Sequence, residues 1–332
     1  MSDGTVVYPS AVREPATGTL DRAPGSARRT TSIDMVPRGT TYEGLALRGA
    51  ARDLLTGADG SATLLAEATV VAEVGAGRIL ESLRAQPALP ALQDLVGRVV
   101  GRGFRGAVDE AIPGEAAAQS PLYLVVDDLP VAALIAGYAD MYVRPPMRVP
   151  AGSTKTDICA GWVHDGTMLE ITDRTGYIPL PEGPEAPALE RADDPLAWHE
   201  LPVLPDGAMR RRRLIDVRQV GPAQLEVRAM FRDTHARAGI QYVLHEYALD
   251  AAIEEGRFTR CVALPRVLPW PECPNAAASA GGLVGRTPAE VREHVRANFR
   301  GISTCTHLND MLRSLADVVP LVRALDDPPS PT

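Results

Sequence analysis

The sequence has few aromatic residues, few cysteines and no excess of basic charge. Of its 332 residues 45% are hydrophobic but only 5% are aromatic, so the cores must be built mainly from Ala, Val and Leu. The formal net charge of −8 argues against nucleic-acid binding, which requires an excess of Lys and Arg on one face. The four cysteines contain no CxxC pair, which argues against a disulfide framework. These properties are typical of a globular protein with reduced thiols.

Long apolar runs and targeting signals are also missing. No run approaches the roughly 20 apolar residues that cross a membrane, and the N-terminus lacks the charged-then-apolar pattern of a secretory signal. The sequence contains no Gly-rich phosphate loop, Walker lysine, dinucleotide fingerprint or serine elbow. We therefore expect a cytoplasmic protein that has no membrane or nucleic-acid partner and no nucleotide cofactor.

What the chain does contain is a long-period repeat. A period of about half the chain indicates duplication of a whole domain, not a solenoid. We predict an α+β fold made of two tandem copies of an antiparallel-sheet-plus-helices unit, packed as a pseudo-dimer. The matched landmarks are Arg28-Arg29 and Ile33-Asp34 with Arg212-Arg213 and Ile215-Asp216, and Leu45, Arg48, Arg52 and Asp53 with Leu225, Arg228, Arg232 and Asp233.

Composition divides the chain into five segments. The first mixes Ser, Gly, Pro and single charges without periodicity, which predicts disorder. The connection between the copies is long and rich in Pro and Gly, and Asp165-Gly166 within it is a hairpin-turn signal. The five are a disordered segment 1–27, a first copy 28–140, a connecting region 141–209, a second copy 210–325 and a loose tail 326–332.

Local patterns predict the elements of the second copy. Alternating residues at 225–231, 241–249 and 258–264 are typical of antiparallel strands. Thr287-Pro288-Ala289-Glu290 is a helix start with a capping box, and this helix should end near Gly301. A second helix should begin near Thr306 and carry one apolar stripe.

The densest polar cluster lies where a loop enters that last helix. Cys305 precedes the first turn, where the helix dipole favours a thiolate, and His307 and Asp310 share a helix face. With Cys273 from a proline-rich turn they form a set of ligands suited to Zn²⁺ or Fe²⁺. A metal-free alternative makes Cys305 a nucleophile and His307 its base. A purely structural role stays open as well, because small buried cysteines and capping histidines are common.

The repeat provides an internal comparison for these residues. Their counterparts in the first copy are all apolar or aromatic, so we expect the site only in the second copy and regard the first as degenerate. The matched positions are Pro121 for Cys305, Tyr123 for His307, Val126 for Asp310 and Leu89 for Cys273.

Other polar residues are weaker candidates. His245 with adjacent Glu246 could act as general acid or base beside a pocket. Cys159 and His164 bracket a turn and could form a nucleophile and base, although burial of the thiol is favoured. We expect Asp127-Asp128 to face solvent and Arg210–Arg213 to be a solvated strand entry.

Three segments resemble a bacterial family known as domain of unknown function 2889: Arg28–Asp34, Leu268–Pro274 and Cys305–Asp310. Shorter relatives look like a single copy with a Cys-Pro turn and a Gly-Cys-Thr-His-Leu segment followed by a carboxylate. The resemblance therefore implies roles for Cys273, Cys305, His307 and Asp310, although this chain has Thr304 in place of the Gly. It also implies a small aromatic or acyl substrate.

Two functions follow as hypotheses. The first is a hydrolase or lyase of small-molecule metabolism, acting on an aromatic or acyl-thioester substrate at this Cys/His/Asp site, with or without zinc or iron. The second is a non-catalytic metal or iron–sulfur carrier, or a partner subunit that docks through the first copy. A homo-oligomer is compatible with both.

Overall fold

The structure is a computed structural model that describes residues 5–39, 43–143, 146–150 and 152–328. Within these residues the strands are β1 Val7–Pro9, β2 Val12–Arg13, β3 Ser26–Arg38, β4 Gly44–Thr56, β5 Ala62–Val74, β6 Leu80–Gln86, β7 Leu180–Glu182, β8 Met209–Gly221, β9 Gln224–Arg237, β10 Ile240–Glu254 and β11 Arg257–Leu268. The helices are α1 Phe104–Ala111, α2 Pro113–Ala118, α3 Pro121–Ile135, α4 Gly137–Val143, α5 Thr167–Thr175, α6 Pro288–Asn298, α7 Thr306–Ser314 and α8 Val318–Asp326.

One large antiparallel sheet organises the described residues. Its strand order is β2-β11-β10-β9-β8-β3-β4-β5-β6, and β1 and β7 form a separate parallel pair. The strands predicted at 225–231, 241–249 and 258–264 lie within β9, β10 and β11, because alternating apolar and polar residues give a strand one face toward the core. The predicted α+β class with an antiparallel sheet is confirmed.

The two halves meet at the centre of this sheet. Each half contributes four successive long strands followed by helices, and β3 pairs with β8 in an antiparallel register. In that register Arg28 lies opposite Asp216 and Asp34 opposite Arg210. Whether the halves arose by duplication and pack as a pseudo-dimer stays a prediction.

Helices from both halves cover one face of the sheet. α3 packs on β3, β4 and β5 in one hydrophobic cluster, while α6, α7 and α8 close a second cluster over β8 to β11. The stretch Pro121–Tyr142 is long and apolar enough to span a membrane, but 72% of its most apolar window is buried inside the protein. Burial of this kind is what a core helix shows, so this stretch is weak evidence for a membrane protein.

Buried ion pairs join the sheet to the helices. On β3 and β4 the guanidinium of Arg29 holds Asp53 with 2.6 and 2.7 Å contacts. Arg213 pairs with Asp128 of α3 at 2.6 Å, and Asp127 accepts from Arg313 of α7 at 3.0 Å. The predictions that Arg210–Arg213 and Asp127-Asp128 are solvated are therefore wrong, because each of these side chains is buried with a partner of opposite charge.

The opposite face is covered by chain that was expected to be disordered or loosely connected. Residues 5–27 form β1 and β2 and hydrogen-bond to distant residues; for example, the Ala16 amide donates to Glu246 at 2.7 Å. The prediction of disorder for residues 1–27 is thus corrected for the part of that segment described here. Long-range backbone hydrogen bonds, which composition does not reveal, offset its ordering entropy.

Three local predictions also need adjustment. Asp165-Gly166 forms a turn that leads into α5 instead of a hairpin. The capping box at Thr287 and Glu290 is present, and α6 ends at Asn298. The helix predicted from Thr306 is broken by a 3-10 turn at Leu315–Asp317 into α7 and α8. Of the predicted tail, Asp326 ends α8, and residues 329–332 lie outside the described residues.

Candidate functional site

A cavity of about 380 Å³ opens beside the N-terminus of α7. Its walls are apolar and come from α3 and α4 of the first half, from the connecting region, and from the turn after β11. The first half and the connecting region therefore both contribute to it. Five side chains able to carry chemistry line this cavity, namely Cys159, His245, Cys273, Cys305 and His307.

Cys305 is held by the start of α7. It occupies the N-cap position of α7, where its side chain makes no capping hydrogen bond, and the nearby backbone N–H groups of His307 and Leu308 act to lower the pKa of its thiol. Those amides and the helix dipole favour a thiolate, as the sequence predicted. Burial acts in the other direction and dominates, so the pKa of the Cys305 thiol is raised above its ordinary value. The resting side chain is a protonated thiol.

His307 links this thiol to a carboxylate. Its Nδ1 lies 3.9 Å from the Cys305 sulfur, and its Nε2 lies 3.9 Å from an Asp233 carboxylate oxygen. Nε2 is buried and has no hydrogen-bond partner among the described residues. Burial, with a smaller contribution from the nearby Arg211, lowers the pKa of His307 to about 3. The imidazole is therefore neutral at physiological pH.

His245 stacks on His307. The ring centroids are 3.7 Å apart and the planes differ by 14°. His245 lies directly across from Asp233 in the pairing of β10 with β9. Burial, followed by the neighbouring His307, also lowers its pKa well below the usual value. The pair thus presents two neutral imidazoles, one of which contacts the Tyr138 ring edge-on at a centroid distance of 5.7 Å.

Asp233 and Asp310 are both engaged by arginine. Arg211 holds Asp233 with two contacts of 2.8 and 2.9 Å, and its other terminal nitrogen reaches Asp310 at 3.2 Å. Asp310 also accepts from Arg105 at 3.0 Å, and these guanidinium groups hold its pKa far below the ordinary range. Asp310 does not line the cavity, because its carboxylate is directed into this ion-pair network instead.

Glu246 lies on the other face of the sheet. Successive residues of a strand point to opposite faces, so Glu246 cannot accompany His245. It pairs with Arg232 at 2.5 Å and is fully buried. The expectation that these two residues act together is corrected.

Two other thiols, those of Cys159 and Cys273, line the cavity and are also protonated at rest. Burial raises the pKa of Cys159 to about 11 and that of Cys273 well above its usual value. Gly161 allows the Cys273 sulfur to approach the backbone, because a Cβ at Gly161 would lie 2.5 Å from that sulfur. His164 is largely exposed and lies beside Asp165, so it does not form a pair with Cys159.

The described residues bring together a different set of metal-ligand types from the one predicted. Ligand atoms of Asp233, His245 and His307 lie within 4.8 Å of one another. Cys273, Cys305, His307 and Asp310 do not form one compact group, chiefly because Asp310 is turned toward Arg105 and Arg211. In the sequence Asp233 stands out only as the repeat counterpart of Asp53, and no role was predicted for it. Its pairing with Arg211 depends on the alignment of β8 with β9, so the repeat of Asp53 as Asp233 was the only sequence signal for this residue.

Comparisons with known proteins add a family match for the second half. No curated protein and no solved structure matches the chain. Residues 209–320 match the model of a family described as "Protein of unknown function (DUF2889)". That segment runs from the first residue of β8 into α8 and includes Asp233, His245, Cys305 and His307. The match supports assignment of this part of the chain to the DUF2889 family.

Proposed function

We propose that the protein is a thiol-dependent enzyme that hydrolyses small acyl or aryl esters or thioesters. The observation that supports this most directly is the order Cys305, His307, Asp233 along one line of contacts beside an apolar cavity. A nucleophile, a base and a group that orients the base are the parts of a catalytic triad. Contacts of this kind are often long without substrate and shorten when it binds.

In the proposed reaction Cys305 is the nucleophile and His307 transfers the protons. The Cys305 sulfur attacks the substrate carbonyl carbon while His307 Nδ1 takes the thiol proton. The carbonyl electron pair moves to oxygen, then returns as the alkoxide or thiolate leaves and recovers the proton from His307. Water hydrolyses the resulting thioester in the same way and releases the acid. The amides at the start of α7 are placed to stabilise negative charge near the sulfur.

The neutral resting state is compatible with this scheme. A base must be unprotonated before it acts, and the low pKa of His307 ensures that condition. Because the thiol pKa is raised, proton transfer and attack must be coupled. We therefore expect little thiolate before substrate enters, and slow reaction with simple alkylating agents at neutral pH.

The experiment is a panel of aryl and acyl thioesters followed by mass spectrometry of the quenched protein. We expect turnover and an acyl adduct on Cys305, both absent in Cys305→Ala. Cys261→Ala is the matched control, because Cys261 is buried on β11 outside the cavity. Turnover that survives in Cys305→Ala would disprove the nucleophile role. A folded protein inactive on the whole panel would favour a binding or carrier function.

A metal-assisted enzyme or a metal carrier is the second candidate. Two histidines and one carboxylate are the ligands of many non-haem iron sites, and the atoms of Asp233, His245 and His307 are close enough to converge. As found, the residues fit a metal poorly. Imidazole nitrogens bond in the ring plane, and the two rings are stacked nearly parallel. The charge of Arg211 on Asp233 also opposes a cation.

Elemental analysis separates the two candidates. About one equivalent of zinc or iron per chain, lost in both His245→Ala and His307→Ala, would favour the metal site and demand rotation of one ring. A metal content that is unaffected by these variants would remove this candidate. The Cys305→Ala protein distinguishes a thiolate ligand from a nucleophile, because only a ligand should alter the metal content.

We also propose that the two halves derive from one duplicated unit and form a pseudo-dimer. The strand order is the same when read outward from β3 and from β8. A shift of 182 positions carries Arg28 onto Arg210, two residues before its predicted match Arg212, and carries Asp34 onto Asp216. The partners are exchanged: Arg28 binds Asp216 at 2.6 Å and Arg210 binds Asp34 at 2.5 Å. Reciprocal contacts of this kind are characteristic of a two-fold interface.

A further inference from the structure

A second cavity of about 730 Å³ lies on the face of the sheet opposite the helices. It is bounded by β4, β8 and the connecting segment around residues 190–204. Arginine is its most frequent charged residue, and most of these guanidinium groups have a partner. Arg210 pairs with Asp34, Arg191 with Asp193, and Arg212 with Glu190. Of the cavity's acidic residues, Asp194 is taken by Arg22.

Arg52 is the exception among these lining arginines. Its side chain is buried at 7% exposure, yet no carboxylate of the described residues lies within 4.0 Å. Within the described part of the chain its one hydrogen bond is to the Leu196 carbonyl oxygen at 2.6 Å, and its Nε has no partner there. A buried unpaired charge is among the most costly features a fold can carry. A missing anionic partner would explain why it is tolerated.

The other half of the sheet provides a direct comparison. In the pairing of β9 with β10, Arg232 lies opposite Glu246 and binds it at 2.5 Å. In the pairing of β4 with β5, Arg52 lies opposite Glu67. Glu67, however, is exposed and forms no ion pair with Arg52. The cross-strand glutamate is therefore buried and paired with its arginine in one half, whereas in the other it is exposed and leaves the Arg52 side chain without an ion pair beside the cavity.

Two further donors line the same cavity without partners. The Nε of Arg212 and the indole N–H of Trp198 are both buried and make no hydrogen bond among the described residues. His199, which also lines the cavity, uses both ring nitrogens in contacts of 2.8 Å with the hydroxyl groups of Thr30 and Ser32. Its pKa is lowered to about 3 by burial and by Arg52, Arg212 and Arg210, which reflects a positive local field.

We propose that this cavity binds a small organic oxyanion, whose phosphate or carboxylate group is held by Arg52 and Arg212. Guanidinium groups bind such anions through paired, charge-assisted hydrogen bonds. Trp198, Leu201 and Leu204 provide apolar surface for the rest of the molecule. The site is on the opposite face from Cys305, so it stands or falls independently of the proposed thiol chemistry.

The test is titration calorimetry and thermal unfolding of the full chain with inorganic phosphate and with succinate at constant ionic strength, using chloride as the blank. We expect one of the two anions to bind once per chain and to raise Tm. Phosphate binding would identify a phosphoryl ligand, and succinate binding a carboxylate. Affinity should fall about tenfold or more in Arg52→Gln and in Arg212→Gln, since each removes a charge-assisted contact.

Arg48→Gln is the matched control, because Arg48 is an exposed arginine on the same strand outside the cavity. The Arg48→Gln protein should bind the anion with the affinity of the wild type. Arg52→Met tests whether Arg52 is needed for the stability of the fold instead of for anion binding. Without anion its Tm should rise, because an unpaired buried charge is replaced by an apolar chain. The proposal is overturned if neither anion acts beyond chloride, if Arg52→Gln binds normally, or if Arg52→Met lowers Tm.

Discussion

Two buried Arg–Asp pairs occupy corresponding places in the two halves but have different surroundings. Arg29 holds Asp53 across β3 and β4, and Arg211 holds Asp233 across β8 and β9. Each arginine also reaches a second carboxylate near the C-terminal helices, Asp317 at 3.4 Å and Asp310 at 3.2 Å respectively. The pair itself is therefore part of the scaffold.

What differs is the residue on the next strand. Ala66 lies across from Asp53, whereas His245 lies across from Asp233. The helix above shows a parallel difference. Ser120 caps α3 and accepts from the Tyr123 amide at 3.1 Å, whereas Cys305 occupies the cap of α7. Serine is a good N-cap residue and cysteine is not among those preferred, so the second half departs from the stable choice where chemistry is proposed.

Removing the carboxylate from each pair gives the largest expected effect. Asp53→Ala and Asp233→Ala should each destabilise the protein by about 3–5 kcal/mol, because a buried guanidinium loses its main partner. Only Asp233→Ala should also change the pH profile of turnover, since Asp233 positions His307. Denaturant unfolding and thioester kinetics measure the two effects. Equal effects on the pH profile would contradict the division of roles between the halves.

His307 should contribute to the loss of stability in acid. His307 has a pKa of about 3 in the fold and about 6.5 when unfolded, so the fold disfavours its protonated form. Its contribution is complete above pH 6.5 and is lost as the pH falls from 6.5 toward 3. Between pH 7 and pH 5 the loss should be about 2 kcal/mol.

His307→Gln tests this prediction. It should lose less stability over the same pH interval, as judged from urea unfolding at both pH values. The two helix caps, Ser120 and Cys305, correspond, so each predicted match in α3 shifts by one residue. The counterpart of His307 two residues after the cap is therefore Leu122, which cannot titrate, and not the predicted Tyr123. Leu122→Met is the control and should keep the acid response of the wild type. An acid response that is unchanged in His307→Gln would place the titrating group elsewhere.

Local signals predicted those parts of the molecule that depend on local interactions. The strands β9, β10 and β11 and the start of α6 follow from alternation and from the Thr287 capping box. Order in residues 5–27 could not be predicted in this way. It rests on contacts such as the hydrogen bond from Ala16 to Glu246, 230 positions away, and nothing in the composition of either segment indicates the other.

The candidate site likewise contains a part that local sequence predicts and a part that depends on contacts between distant segments. Cys305 and His307 are two residues apart at a helix start, so their proximity could be read from the sequence. The contribution of Asp233 depends on the register of β9 with β10, which places it opposite His245. Asp310 was assigned as a ligand because it shares a helix face with His307. Arg313, three residues further along α7, also pairs with Asp310 at 3.7 Å. The two arginines that make the shorter contacts come from α1 and β8, which the pattern of α7 does not reveal.

Exchanging the N-cap residues of α7 and α3 should have the smallest effect on stability, and it tests the difference between the two helix starts most directly. If Cys305 is retained for chemistry at the expense of the helix, Cys305→Ser should stabilise the protein by about 1 kcal/mol, because serine accepts the free amides of the first turn. Ser120→Cys should destabilise it by a similar amount, since the bond from the Tyr123 amide is weakened. Urea unfolding measures both changes. A loss of stability in both variants would mean that the Cys305 sulfur is itself a packing requirement, and the contrast between the two helix starts would then be one of shape instead of function.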